Sequence, residues 1–515
     1  MTSQGAQAEI GLIGLGTMGG NLALNIAENG FRISVFNRTL EKTDQFLAKA
    51  GELAEKLVPS KTLEDFVASI ASPRAIILMV SAGEAVDAQI AALRPLLDAD
   101  DLIIDAGNAN YHDTNRRAQE AAEKGPRFMG IGVSGGEEGA RFGPSIMGGG
   151  DKSAWDRVGH ILEAISAKYE DEPCAAFLGA AGAGHLVKTV HNGIEYADMQ
   201  MIAEVYGVMR DGFGMSAAEV GEVLERWNGG ILQSYLIEIS GKVAKTADPD
   251  TGKPMLDIIL DTAGQKGTGR WTAIEALMLG TPASAIEAAV AARNMSARLE
   301  EREKGELVFG AAPQHMDKDL IGIDALESAL VAGKIICYAQ GFGLILEAAK
   351  QYGWDMPLPE IAKIWRNGCI IRSAMLNDMS SALSDDAKRN LMLAPFFTEK
   401  LKETETNLRQ VVAQAMLHGL PVPALSAALS YFDIMRTQRS TANMLQGQRD
   451  FFGAHGFART DKEGGGYHGP CFPAVQQGLP SLPTHCCSAL ARSLTKKSAV
   501  ARKNMPPRTT TKGQS

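Results

Sequence analysis

Short apolar runs alternate with helical patterns along the first third of the chain. Residues 17–29 and 39–50 repeat apolar side chains at helical spacing and lie between runs that have the length of buried strands. Strands that alternate with helices are typical of a parallel sheet covered by helices. We therefore predict an α/β domain over residues 1–180, and its strands are expected at residues 9–13, 33–36, 75–80, 102–105 and 128–133.

Long amphipathic segments rich in Ala, Leu, Met and Glu replace this pattern after about residue 180. Such segments, with few β-branched runs, predict an all-helical domain over residues 181–447. Residues 448–470 follow as a separate segment. The longest predicted helices cover residues 185–213, 283–303, 330–352 and 395–418.

The charge of the chain is unevenly distributed. Seven of the 51 Lys and Arg, and none of the 60 Asp and Glu, follow residue 470, so residues 1–470 carry 44 basic and 60 acidic side chains. This acidic body argues against nucleic-acid binding, and an anionic small molecule must be held by locally gathered cations. Residues 471–515 lack a sustained period, and we expect them to be disordered. They are either a basic interaction tail or the product of a shifted reading frame.

No signal for a membrane or a secretory pathway is visible in the sequence. No uncharged apolar run reaches 18 residues, and residues 1–9 lack the features of a signal peptide. We expect a cytoplasmic protein that does not bind a membrane. No metal site is expected either, because the cysteines lack metal-ligand spacing and are interpreted as reduced thiols: Cys174, Cys337, Cys369, Cys471, Cys486 and Cys487.

The motif GLGTMG follows the first predicted strand and opens a helix. This context is the one that a Rossmann-like dinucleotide-binding fingerprint requires, because the glycines allow a tight turn and a close approach of the pyrophosphate to the helix N-terminus. The second strand ends in Asn37, Arg38 and Thr39, where an enzyme that prefers NAD would usually carry an acidic residue. Arg38 can bind a 2′-phosphate, so we predict NADP. The other expected cofactor contacts are Gly14, Leu15, Gly16, Thr17, Met18, Gly19, Val80, Ser81, Ala82 and Asn108.

One helical segment gathers unlike polar groups on a single side. At 100° per residue, the polar side chains fall within a sector of roughly 140°, opposite an apolar side. An isolated stripe of this kind is usually a solvated helix face, so its interpretation as the wall of a reaction site depends on the other motifs. The stripe consists of Lys188, His191, Asn192, Glu195 and Tyr196.

Three further segments support a reaction site. Residues 105–108 (DAGN) end a strand at the carboxyl edge of the sheet, where ligands of such folds bind. Residues 133–140 (VSGGEEGA) also follow a strand, and their Ser hydroxyl and consecutive N–H groups can bind an anion. The loop at residues 261–271 offers Lys266 and Thr268.

With these motifs in order, the sequence resembles the decarboxylating 6-phosphogluconate dehydrogenases. The likeness runs from about Ile10 to His468 through GLGTMGGN, FNRT, DAGNANYHDT, GVSGGEEGARFGPS, HLVKTVHNGIEY, DTAGQKGTGRWT and QRDFFGAH. The resemblance implies NADP-dependent oxidation of 6-phosphogluconate at C3, loss of CO2 and formation of ribulose 5-phosphate. It also implies a homodimer.

The resemblance assigns roles to individual residues. Lys188 is implied as the general base for the 3-hydroxyl, and Glu195 as the acid that protonates C1 of the enediol. Ser134, Gly135 and Gly136 would hold the substrate carboxylate, and Asn108, His191 and Asn192 its hydroxyls. Tyr196, Lys266, Thr268 and Arg293 would bind the phosphate, together with Arg449 from a second subunit, which would also place His455 on a substrate hydroxyl.

The chain departs from the family pattern in places. Ser81 stands where many relatives place a Lys near the cofactor phosphates, and residues 145–150 contain a Gly where a Pro is common. Two other functions stay open: a β-hydroxyacid dehydrogenase, which would match only the first 300 residues or so, and a non-catalytic NADP-binding sensor. Release of CO2 coupled to NADPH formation separates the three.

Overall fold

The computed structural model describes residues 7–265 and 267–469. Its main sheet contains eight strands, and a separate two-stranded hairpin, β8 and β9, lies beyond the seventh. The strands are β1 Ile10–Ile13, β2 Ile33–Phe36, β3 Leu57–Pro59, β4 Ala75–Leu78, β5 Leu102–Asp105, β6 Arg127–Val133, β7 Ile146–Gly150, β8 Lys168–Tyr169, β9 Glu172–Pro173 and β10 Ala175–Phe177.

The order of the main sheet is β10-β7-β6-β5-β4-β1-β2-β3. All neighbouring strands run parallel except β6 and β7, which are antiparallel. Buried apolar side chains form one cluster on each face of the sheet. The helices that accompany the sheet are α1 Thr17–Glu28, α2 Leu40–Lys49, α3 Leu63–Ala68, α4 Glu84–Leu93, α5 Tyr111–Lys124, α6 Gly136–Phe142 and α7 Lys152–Ile165.

Helices make up most of the rest of the described chain. The first of them, α8, is followed directly by a π-helical turn at Val208–Gly212. The helices are α8 Ala183–Gly207, α9 Ala217–Trp227, α10 Tyr235–Lys245, α11 Thr268–Met278, α12 Ser284–Ser296, α13 Leu299–Phe309, α14 Ile323–Tyr352, α15 Leu358–Ile364, α16 Met375–Asp385, α17 Pro395–Leu417, α18 Pro423–Met435 and α19 Ala442–Gly453.

The predicted fold class, an α/β Rossmann-like region followed by an all-α region, is confirmed. Several details differ. The helix predicted at residues 283–303 is two helices, because the chain leaves helical geometry between Ser296 and Leu299. The helix predicted at residues 330–352 begins earlier, at Ile323, and the one predicted at residues 185–213 changes to a π-helical turn after Gly207.

Helix α14 has the length and apolar composition of a membrane span. The most apolar 18-residue window of this helix is 89% buried inside the protein, as in the core helix of a folded domain.

The chain divides into two compact units, residues 1–433 and residues 434–515. In the second unit, Asp450 organises the end of the described chain: its carboxylate accepts hydrogen bonds from the backbone N–H groups of Gly456 and Gly469 and pairs with His468. Residues 471–515, for which we expected disorder, lie outside the described residues.

Candidate active site

The loop between β1 and α1 has the geometry that its glycines predict. Gly14 adopts a φ of +103°, and a side chain there would lie 2.4 Å from the carbonyl oxygen of Met79. A methyl group on Gly19 would lie 1.9 Å from the carbonyl oxygen of Gly14, so the helix can start here only with glycine. Gly16 faces open space at the helix N-terminus. This open side leaves room for an anion against the backbone.

The other predicted cofactor residues lie at the same edge of the sheet. β1, β2, β4 and β5 are parallel neighbours, so their carboxyl ends meet. The backbone N–H of Leu15 donates to the Asn37 side chain, which joins the glycine loop to the end of β2. Exposed side chains are available around this edge: Thr17, Arg38, Thr39, Ser81, Ala82 and Asn108, with Met18 and Val80 half-buried.

Helix α8 lies against β6 because two positions of that strand lack side chains. A methyl group on Gly132 would lie 2.4 Å from Cβ of Lys188, and one on Gly130 would lie 2.7 Å from Nδ1 of His185. The contact buries Lys188, which is only 6% exposed, next to Ser134 just past the end of β6. Backbone packing therefore determines where the amine lies.

A continuous chain of hydrogen bonds starts at this amine. Nζ of Lys188 lies 3.0 Å from Oγ of Ser134, which lies 3.2 Å from Nε2 of His191. Nδ1 of His191 lies 3.0 Å from Oδ1 of Asn192, whose Nδ2 donates to Oγ1 of Thr268 at 2.6 Å. The chain joins the helical stripe to the strand end and to the first residue of α11.

The directions of these bonds follow from the donor inventory of each group. Oδ1 of Asn192 can only accept, so Nδ1 of His191 carries the proton and Nε2 accepts from Ser134. Burial lowers the pKa of His191 well below its usual range, which keeps the ring neutral. Because the Ser134 proton is directed at His191, Lys188 donates to Ser134, and the lone pair of a neutral amine stays free for a ligand.

Burial moves the pKa values of the two predicted catalytic groups in opposite directions. It lowers the pKa of Lys188, and the carboxylate of Glu195 opposes this change only in part. It raises the pKa of Glu195 against the opposing effects of Lys188 and Arg293. Glu195 lies two turns after Lys188, about 10 Å along the axis, with its side chain 19% exposed and 3.9 Å from His191. Burial thus favours the neutral form of each group, so one helix carries a candidate base and a candidate acid.

The residues expected to hold a carboxylate form a backbone turn beside Lys188. Gly135 adopts a φ of +105° and Gly136 a φ of +64°, and these residues begin α6. A side chain on Gly135 would lie 2.5 Å from the carbonyl oxygen of Gly368, whereas Gly136 faces open space. The turn thus presents N–H groups at a helix N-terminus, where negative charge is stabilised.

The residues expected to bind a phosphate cluster around Tyr196. The guanidinium of Arg293 lies 3.7 Å from the centre of the Tyr196 ring, and a side chain on Gly269 would lie 2.4 Å from the ring. Thr268 is buried and bonded to Asn192. Lys266, the remaining predicted cation of this group, lies outside the described residues.

Sequence reasoning missed one segment, residues 364–369, which lies next to the site. Gly368 contacts the Gly135 turn, the Trp365 ring contacts His191, and the thiol of Cys369 acts electrostatically on Lys188. No motif indicated this segment, and only its unusual WRNGC composition could have drawn attention to it.

Two predicted residues belong to the second unit. Arg449 lies on α19 and is exposed, with Nη1 3.0 Å from Oε1 of Gln446. His455 follows the helix and is also exposed, and its ring lies 5.9 Å from that of Phe452.

Within residues 7–265 and 267–469, no group of three potential ligands is placed to hold a metal, and Cys174, Cys337 and Cys369 are buried free thiols. The other three cysteines lie outside the described residues.

Comparison with known proteins relates this arrangement to one family. A model of the NAD binding domain of 6-phosphogluconate dehydrogenase matches residues 9–179, and a model of the C-terminal domain of 6-phosphogluconate dehydrogenase matches residues 184–470. The chain belongs to the 6-phosphogluconate dehydrogenase family. The two matches together span both the sheet and the helical region.

Individual members of the family are similar over nearly their whole length. An NADP(+)-dependent, decarboxylating 6-phosphogluconate dehydrogenase from Bacillus subtilis is 49% identical over 89% of this chain and 98% of its own. The NAD(+)-dependent, decarboxylating enzyme of the same organism is 47% identical over 88% and 97%. The solved structure of Plasmodium falciparum 6-phosphogluconate dehydrogenase, studied with NADP+ and with 6-phosphogluconate, superimposes with a TM-score of 0.87 at 41% identity, over 90% of this chain and all of that one.

Proposed function

We propose that the protein catalyses the NADP-dependent oxidative decarboxylation of 6-phosphogluconate to ribulose 5-phosphate, CO2 and NADPH, in the oxidative branch of the pentose phosphate pathway. The observation that carries the proposal is the buried Lys188 amine, bonded to Ser134 and borne on the same helix as the half-buried acid Glu195. Family membership supplies the substrate class, and the site supplies groups for each proton transfer.

Lys188 acts as the base in the first step. Burial lowers the pKa of Lys188 and so favours the neutral amine, which can take the proton of the substrate 3-hydroxyl. NADP, which the glycine loop and Arg38 would hold at the sheet edge, would supply the acceptor for the hydride of C3. The Ser134–Gly136 turn holds the carboxylate, while His191, Asn192 and Asn108 orient the hydroxyls.

The second and third steps use the protonated amine and the acid. The oxidised substrate is a β-keto acid, and protonated Lys188 stabilises the negative charge on the C3 oxygen as CO2 leaves. Glu195, whose pKa is raised by burial, then gives its proton to C1 of the resulting enediol, the carbon that was C2 of the substrate. The cycle ends with Lys188 protonated and Glu195 ionised. Before the next turnover, Lys188 must lose a proton and Glu195 must gain one.

The residues present fit NADP. Gly16 leaves open space at the N-terminus of α1 for the pyrophosphate, and the exposed Arg38 follows β2 where a 2′-phosphate would be recognised. The position after Val80 is occupied by the uncharged Ser81, so this recognition falls to Asn37, Arg38 and Thr39.

We further propose a homodimer in which Arg449 and His455 complete the site of the partner subunit. Helix α13 has no buried residue, and its final residues Leu307, Val308 and Phe309 are 72–89% exposed. An apolar helix end of this kind is typical of a surface that another chain covers. Exposed Arg449 and His455 are free to act in the same assembly.

We place the enzyme in the cytoplasm, in keeping with the free thiols of the described chain.

The test of the function is the purified protein with 6-phosphogluconate and either NADP or NAD, monitored for reduced cofactor and CO2 together. The proposal predicts equal amounts of NADPH and CO2 and a clear preference for NADP. Reduced cofactor without CO2 would indicate a β-hydroxyacid dehydrogenase. Binding of NADP with neither product would indicate a sensor.

A further inference from the structure

Residues 364–369, which we call the rear-wall segment, are hydrogen-bonded to Ser145, the residue just before β7. The carbonyl of Ile364 accepts from Oγ of Ser145 at 2.7 Å, and the carbonyl of Gly368 accepts from the Ser145 backbone at 2.8 Å. The thiol of Cys369 donates to the carbonyl of Trp365 at 3.1 Å. These bonds fix the position of the segment, whose Trp365 contacts His191 of α8.

Trp365 is the fully buried member of this segment that touches the polar stripe. Its ring lies 5.8 Å from the His191 ring at an interplanar angle of 73°, and 5.6 Å from Phe342 of α14. The indole Nε1 has no hydrogen-bond partner among the described residues. A buried indole that forgoes a hydrogen bond contributes through its shape rather than its polarity.

We propose that Trp365 is a positioning residue that holds the His191 ring in the plane in which Nε2 accepts from Ser134 while Nδ1 donates to Asn192. The inference rests on the proposed function for its kinetic test. Nothing else in the hydrogen-bond chain restrains the faces of the imidazole, because both of its bonds lie in the ring plane. The edge-to-face contact with Trp365 supplies that restraint.

Trp365 also keeps water away from His191. Burial is the largest cause of the lowered pKa of His191, and Lys188 on the same helix adds to it. A further titratable group near the ring is Glu195 on α8, whose carboxylate lies 3.9 Å from Nδ1, and the thiol of Cys369 on the rear-wall segment acts on the neighbouring Lys188. Removal of the indole would admit water, allow His191 to be protonated near its ordinary pH range and deprive Ser134 of its acceptor.

The experiment compares Trp365→Ala and Trp365→Phe with Trp227→Ala and Trp227→Phe. Trp227 is a matched control, because it is also fully buried with an unpartnered Nε1 but lies on α9. We expect Trp365→Ala to lower kcat about tenfold or more. We also expect an added acid limb in the pH profile, that is, a fall in kcat as the pH decreases through about 6.5. Trp365→Phe should restore most of the activity, and neither Trp227 variant should add the limb. The KM for NADP should stay within about twofold, since Trp365 is not one of the predicted cofactor contacts.

Two further measurements keep the proposal falsifiable. His191→Asn combined with Trp365→Ala should be no slower than His191→Asn alone, because both changes remove the same restraint. The proposal would be overturned if the losses of kcat in the two single variants multiplied in the double variant. It would also be overturned if the pH profile of kcat for Trp365→Ala were identical to that for Trp227→Ala. If Trp365→Ala does not fold, Trp365→Leu takes its place.

A direct readout separates this inference from the proposed function. The His191 resonance, assigned with His191→Asn in protein labelled at histidine Cε1, should titrate only below the usual histidine range in the unmodified protein and within that range in Trp365→Ala. An unchanged titration would contradict the inference even if the assay with 6-phosphogluconate succeeds. The expected titration with no NADPH or CO2 would sink the proposed function and leave the positioning role standing.

Discussion

The Nζ atom of Lys188 lies 3.0 Å from the hydroxyl oxygen of Ser134, and this bond joins the central helix α8 to the end of β6. Since the Ser134 proton is directed at His191, the hydroxyl accepts from the amine. The bond thus orients Lys188 without occupying its lone pair. The proposed base is held in place and still able to accept a proton.

Replacement of Lys188 by Ala should remove the proposed base with little effect on substrate binding. We expect turnover to fall roughly 10²–10⁴-fold, the usual contribution of a positioned general base. Lys168→Ala is a control, because burial lowers the pKa of Lys168 as well, but that residue bonds backbone carbonyls near β8. Steady-state rates and substrate affinity decide the matter, and a Lys188 variant that keeps a tenth of normal turnover would exclude the role.

Replacement of Glu195 by Gln should move the acid limb of the oxidation step to lower pH. The Glu195 carboxylate raises the pKa of Lys188, so its loss lets that pKa fall further and keeps the amine neutral at lower pH. The limb is measured as the pH dependence of the first turnover of NADPH formation. Glu275→Gln, at another buried carboxylate, should leave the limb in place. A shift of the Glu195→Gln limb to higher pH would contradict this electrostatic account.

Gly132→Ala should lower activity through geometry alone. The added methyl group would lie 2.4 Å from Cβ of Lys188, so α8 must shift away from β6. Even a displacement of about 1 Å at a reacting group can cost about 100-fold in rate. Gly207→Ala on the same helix has open space and should leave activity unchanged. Equal activity of the two variants would show that the close approach of helix and strand is dispensable.

The stability of the protein should depend on the protonation of Glu204. This buried carboxyl accepts from the backbone N–H groups of Ala424 and Leu425 at the start of α18, and burial raises its pKa from 4.5 to about 7. Because the folded state holds the proton more tightly, the contribution of Glu204 is fully present below about pH 4.5 and is lost as pH rises through about 7. The Tm advantage of the unmodified protein over Glu204→Gln should therefore shrink between pH 5 and pH 8.

Glu219 provides a control of opposite sign for that measurement. Hydrogen bonds from Ser216 lower the pKa of Glu219, so its contribution is present above its ordinary pKa and fades as pH falls. Calorimetry of Glu219→Gln should show any Tm difference growing toward neutral pH. Parallel trends in the two variants would refute the assignment of the pH dependence to Glu204.

Arg449 is proposed to bind the phosphate of the substrate that occupies the partner subunit's site. Arg449→Ala should therefore raise the KM for 6-phosphogluconate far more than the KM for NADP. Mixing of Lys188→Ala and Arg449→Ala chains should then restore activity. Random pairing makes half of the dimers mixed, each with one intact site, so about a quarter of normal activity is expected. No recovery in chains shown to exchange would place Arg449 outside the neighbouring site.

Local rules were sufficient to predict much of the molecule. The glycine loop after β1 and the polar side of α8 depend on spacing within one element, so both could be derived from the sequence. The rear-wall segment could not, because its contact with His191 joins residues 174 positions apart in sequence and exists only after the helices pack. Strand β7 was missed since its IMGGG sequence has weak strand propensity and is stabilised by its neighbours β6 and β10. The break between α12 and α13 was missed because the apolar pattern continues across it.

Both proposed proton-transfer groups are carried by α8, so the span between them is a fixed number of peptide units. Adjusting that span requires insertion or deletion of residues in a buried helix, and each inserted residue would also turn Glu195 by about 100° away from the site. Selection for a substrate with a longer reacting unit cannot proceed by exchange of side chains alone. The backbone of one helix thus restricts the range of sugar acids that this scaffold can evolve to process.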